Sequence, residues 1–129
     1  MVKSHFLLGT LFLAGSLYAS SAESIIEQNG CLACHAVASK KAAPAFAGIG
    51  MRNKRFNGSA AKETIMNSIK NGSSGKYPRF SNSAMPAYPN LTQEQLSSVA
   101  DYILAQSSKA KRHFGQGMGK GQGMGMGRQ

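Results

Sequence analysis

An all-α fold, with three short helices and two long loops closed around one large buried cofactor, is predicted from three observations. Apolar residues recur at helical spacing, and no stretch alternates convincingly as a strand. The helices supply a thin core for about 86 residues of domain, and loops this long are unusual unless something holds them. Cys31, Cys34 and His35 stand together in "GCLACHAV", two residues apart and then adjacent.

Along the chain, Lys3 and His5 precede the apolar run Phe6 to Gly15, and small residues follow as far as Ala22. This is the layout of a secretory signal peptide over residues 1–22, with Ser20 and Ala22 suited to a signal peptidase. An uncleaved anchor is the alternative, although the run is shorter than the roughly 20 residues of a spanning helix. Cleavage leaves a soluble, exported chain from Glu23 to Gln129 with both cysteines. An oxidising compartment permits disulfides, but two cysteines so close together cannot brace a fold. The pair therefore serves chemistry.

A first helix is expected to start near Ser24 and lead into the cysteine pair. A middle helix over Ala60–Asn71 follows Ser59, buries Ile65, Met66 and Ile69, and stops at Gly72. The clearest helix spans Gln93–Gln106, where Leu96, Val99, Ala100, Ile103 and Leu104 form an apolar stripe behind a Thr92/Gln95 capping box. Between them "KKAAPAFAGIG" and "NGSSGKYPRFSNSAMPAYPN" read as loops. From Lys109 to Gln129 the composition turns to Gly, Met and Gln without apolar periodicity, and this segment reads as a flexible tail.

The formal charge is +10, and loss of Lys3 leaves +9. Five cations (Lys109, Lys111, Arg112, Lys120, Arg128) lie in the tail without an acid, which leaves +4 on the folded part. Acidic protein partners and anionic lipid fit this balance. Nucleic acid is set aside by export. The tail has three readings: a solvated extension, a docking arm toward an acidic redox partner or a membrane surface, and a cuprous site of His113, Met118, Met124 and Met126.

In C-x-x-C-H two thiols on one turn can reach vinyl groups on the same edge of a haem, and the following histidine is delivered beneath the iron. Zinc requires four ligands, and beyond Cys31, Cys34 and His35 the mature chain offers only the remote His113 in the tail. A thioredoxin-like dithiol requires a βαβ context that the pattern lacks. The second axial position calls for a soft ligand, and Met85, on the proline-restrained "NSAMPAYPN" loop, is the candidate. Met51 and Met66 are alternatives that serve equally well as core filling.

The chain resembles the small bacterial class I monohaem cytochromes c, in particular the short periplasmic type that donates electrons to nitrite reductases and oxidases. "NGCLACHAV", "APAFAGIG", "IKNGSSGKY", "AMPAY" and the terminal helix carry the likeness, in family order, over roughly Glu23 to Ser108. The resemblance implies the small cytochrome c fold, its N- and C-terminal helices crossing over a haem with one edge at solvent. It implies one haem c joined to Cys31 and Cys34, with His35 and Met85 as axial ligands. Pro44 matches the proline whose carbonyl accepts the proton-bearing nitrogen of the histidine, and Tyr77 falls where a tryptophan often contacts a haem propionate. "PRFSNSA" is longer than in short members, and the tail lies outside the pattern. The implied function is a monomeric periplasmic electron carrier, not an enzyme, exchanging single electrons with respiratory redox proteins. A haem subunit of a larger sulfur-compound-oxidising or dehydrogenase complex is the alternative, and a peroxidase or gas sensor would require Met85 to leave the iron.

Overall fold

The computed structural model describes residues 20–114. The leader up to Ala19 and the segment beyond Phe114 lie outside the described residues, and so does the copper reading of Met118, Met124 and Met126. Five helices are described. The first, α1 (Ala22–Gln28), is capped by Ser21, whose hydroxyl accepts from the Ser24 backbone N–H at 3.2 Å, and it buries Ile25 and Ile26. Gly30, at φ 67°, turns the chain out of α1 into a 3-10 turn over Cys31–Ala33.

The second helix, α2 (Phe46–Asn57), occupies part of the stretch expected to be loop. Its buried face is Phe46, Ala47, Gly50 and Asn53, so the helical spacing is present but small and polar residues carry it. Gly50 is the contact point with the C-terminal helix: a Cβ there would collide with the Ile103 carbonyl oxygen, so the backbones meet directly. Lys54 and Arg55 in the last turn complement the helix dipole.

After a 3-10 turn over Gly58–Ala60 comes α3 (Ala61–Asn71), which ends at Gly72. Ser59 lies within that turn and gives no side-chain cap, a correction to the expected helix start. The fourth helix, α4 (Gln93–Ala105), has the full capping box: Gln95 N–H donates to the Thr92 hydroxyl, and the Thr92 N–H donates to Oε1 of Gln95. It packs against α1, α2 and α3, so the crossing of first and last helices is made by α1 and α4. Ile25, Ile26, Phe46, Ile65, Ile69, Leu96, Val99 and Ile103 meet in one core between these four helices.

The ordered chain does not stop at Ser108. A fifth helix, α5 (Ser107–Phe114), packs on α2, with Ala110 buried and Lys54 Nζ donating to the Ser107 hydroxyl at 2.7 Å. The boundary read from composition therefore falls inside a helix, whose sequence contains no Ile, Leu or Val to mark an apolar stripe. A two-stranded antiparallel ribbon also forms, with β1 (Ser73–Ser74) against β2 (Ala84–Met85) and Ser73 facing Met85. Strands of two residues are too short to show alternation.

Candidate functional site

The four core helices and the two loops enclose a cleft of about 400 Å³ with a predominantly apolar lining. Cys31, Cys34, His35, Pro44, Tyr77 and Met85, every site residue predicted from the sequence, line it. Met51 and Met66 do not; Met66 is packed in the core among the helices.

One wall grows out of the cysteine turn. His35 N–H donates to the Cys31 carbonyl at 3.0 Å, and Ala43 N–H donates to the Cys34 carbonyl at 3.0 Å, which doubles the following loop back on the turn. That return brings Pro44 to the histidine. Nδ1 of His35 lies 2.7 Å from the Pro44 carbonyl oxygen. A carbonyl can only accept, so Nδ1 carries the proton and Nε2 keeps its lone pair. The imidazole, 9% exposed, is stacked on Phe46 with ring centroids 5.1 Å apart. Phe46 is in turn braced edge-on by Tyr102 at 6.2 Å. Burial pushes the Cys31 thiol up from its ordinary pKa, partly offset by a backbone hydrogen bond, so near neutral pH it is a thiol. No disulfide joins the two cysteines.

The other wall is built from the loop after α3. Gly72 has φ 79° and ψ 173°, a conformation that side chains avoid, and a Cβ there would lie 2.9 Å from the Met85 carbonyl oxygen. Glycine thus permits the close crossing that sets Met85, half-buried, on the ribbon. Tyr88 N–H donates to the Ile69 carbonyl at 3.0 Å and ties the far end of the loop to α3. The segment "PRFSNSA" makes a 3-10 turn over Pro78–Phe80, and the Ser83 hydroxyl donates to the Ala42 carbonyl at 3.2 Å across the loops. Tyr77 is half-buried, with the Arg52 guanidinium 5.2 Å above its ring. Burial raises the phenol pKa above 10.0, while the Arg52 cation and the Asn53 amide pull it down.

The structure adds residues that sequence reasoning missed. Asn53 lines the cleft, buried, its amide donating to the Ile49 carbonyl and its oxygen accepting from Asn57. It carries no signal because the start of α2, Phe46–Gly50, reads as loop and the stretch after it shows no apolar stripe. Lys76, with Nζ on the Ser68 hydroxyl, brings a cation to the cleft lining. An isolated lysine in a loop carries no sequence signal of such a place. Among the described residues no three His, Cys, Asp or Glu side chains gather as a metal site. The donor set is instead one imidazole and one thioether among the lining residues of one apolar cleft, with two thiols beside them. That set fits a haem.

The Cytochrome c family profile matches residues 19–107. The chain belongs to the cytochrome c family. Cytochrome c-552 of Hydrogenobacter thermophilus is 31% identical over 106 residues, 81% of this chain and 98% of that protein. Cytochrome c-551 of Pseudomonas aeruginosa is 31% identical over 100 residues, 76% of this chain and 88% of that one. The crystal structure of wild-type Nitrosomonas europaea cytochrome c552 superposes with a TM-score of 0.57 at 28% identity, covering 65% of this chain and 98% of the other. This cytochrome is therefore a small electron carrier rather than an enzyme, with the small cytochrome c fold and a covalently attached haem c for which Cys31 and Cys34 are the attachment pair.

Proposed function

We propose that this cytochrome is a free periplasmic carrier whose haem iron is held between His35 and Met85. The observation that carries the reading is that these two side chains line the same cleft while Met51 and Met66 stay out of it. When bound, haem supplies a one-electron centre that changes between ferrous and ferric states. The chain does the rest. His35 presents Nε2 as a lone pair, and the Pro44 carbonyl fixes its ring and increases its basicity. Met85 offers a soft thioether, which favours the lower oxidation state, and the apolar lining acts in the same direction. Tyr77, kept protonated by burial, is a hydrogen-bond donor for a haem propionate. Two side-chain ligands leave no open position for a substrate, which suits a carrier.

Export by the leader over residues 1–22, cut near Ala22, places the carrier in the periplasm; such a cut removes the Ser21 cap of α1. No helix among the described residues is long and apolar enough to cross a membrane. Redox proteins are its exchange partners, and the cysteine turn, with Leu32 exposed between the two cysteines, is the apolar face offered to them. Two measurements test the proposal. Native extract run on size exclusion is expected to release the cytochrome as a monomer, and a stable large assembly would make it a haem subunit instead. Ferrous protein is expected to bind carbon monoxide only slowly, whereas rapid binding would revive the sensor or peroxidase class.

A further inference from the structure

Charge is segregated on the folded surface. All five acids of the chain lie on α1 (Glu23, Glu27), α3 (Glu63) and α4 (Glu94, Asp101). The packed pair α2 and α5 has none, and α5 takes Lys109, Lys111 and Arg112 from what composition alone would assign to a loose tail. On α2, Arg52, Lys54 and Arg55 are exposed, and so is Lys109 on α5. Among the described residues the one ion pair is Lys62 with Asp101, so none of these four cations is neutralised by a carboxylate. Beside two of them Phe56 is 66% exposed, with the Arg52 and Arg55 guanidinium groups 5.2 Å and 5.4 Å from its ring centre.

We infer that this α2–α5 face docks on an anionic lipid surface, with Phe56 entering the headgroup region and the surrounding cations on the phosphates. An exposed aromatic ring flanked by two guanidinium groups has both parts of an interfacial anchor, and each cation near an anionic leaflet adds independently to the attraction. An acidic protein would use the cations but leaves an exposed phenyl ring unexplained. Position favours lipid too. Phe46, at the start of α2, stacks on His35, and Phe56 lies ten residues on, about 15 Å further along the axis. The cysteine turn at the other end stays free, so a carrier held on the membrane by this face can still exchange electrons. The inference does not depend on which methionine binds the iron.

The test uses the full-length holoprotein, sedimented with phosphatidylglycerol/phosphatidylcholine vesicles and, separately, with pure phosphatidylcholine vesicles. Wild type is expected to bind only the anionic vesicles. Arg55→Gln with Lys109→Gln is expected to weaken that binding about 25-fold, at about fivefold for each charge. Phe56→Ser is expected to weaken it several-fold while leaving binding to soluble polyglutamate unchanged, and an unaltered haem spectrum reports that each variant is folded. The inference fails if wild type stays in the supernatant. It also fails if only Lys120→Gln with Arg128→Gln releases the protein, since the distal tail would then bind alone. Loss of polyglutamate binding in the charge variant without any vesicle binding would assign the face to an acidic protein.

Discussion

The two walls of the cleft hold His35 and Met85 by different means. His35 is fixed from three sides by elements that fold around it: the carbonyl of Pro44 at 2.7 Å, the ring of Phe46 and the backbone of the cysteine turn. Met85 is placed by a two-residue ribbon and by the close passage of Gly72, with a long loop on the other side. The histidine wall shares its support with the core, since Phe46 belongs to both. The methionine wall is attached to the core but is not part of it. Damage to the first is therefore expected to appear as lost stability, and damage to the second as altered ligation.

The largest effect is expected from Phe46→Ala. Removing a buried phenyl that joins core and imidazole is expected to cost about 3–5 kcal/mol in denaturant unfolding of the holoprotein, with the ferric far-red sulfur-to-iron band retained. Gly72→Ala is expected to be milder in stability, about 1–3 kcal/mol for the strained backbone, but to weaken that same band because the crossing beneath Met85 must open. A reversed pattern, with the band lost in the first variant and kept in the second, would contradict the division. The smallest effect concerns Tyr77. Its phenol pKa is higher folded than unfolded, so its contribution is complete below pH 10 and is lost as pH rises through the folded value. Wild-type stability is expected to fall on the alkaline side, and Tyr77→Phe is expected to make that fall shallower, as read from unfolding midpoints against pH.

The same two walls differ in how much of them the sequence displays. Cys31, Cys34 and His35 fall within five residues and Pro44 is near, so a short motif contains most of the histidine wall. The helices α1, α3 and α4 are legible because Ile, Leu and Val mark their buried stripes and Thr92 with Gln95 marks a start. Nothing comparable marks α2. Its face toward α4 is Ala47 and Gly50, where close approach requires the absence of a side chain, and glycine in a sequence reads as loop. With α2 hidden, Asn53 and the stack beneath His35 were hidden as well. On the methionine wall, Met85 was legible from its flanking prolines, while the ribbon that sets it depends on pairing across the nine intervening residues 75–83. Helix α5, which crosses the boundary read at Ser108, is illegible for a related reason: it is held on α2 by buried Ala110 and by the Lys54 bond to Ser107, neither of which composition reveals.

The central claim is that Met85, alone among the methionines of the folded part, completes the iron site opposite His35. Absorbance of the ferric holoprotein in the far red, recorded for wild type and for Met51→Ala, Met66→Ala and Met85→Ala, tests it most directly. The sulfur-to-iron band is expected in wild type and in the first two variants and is expected to vanish in Met85→Ala, whose ferrous form then takes up carbon monoxide rapidly. Survival of the band in Met85→Ala, or its loss in Met51→Ala or Met66→Ala, would contradict the assignment.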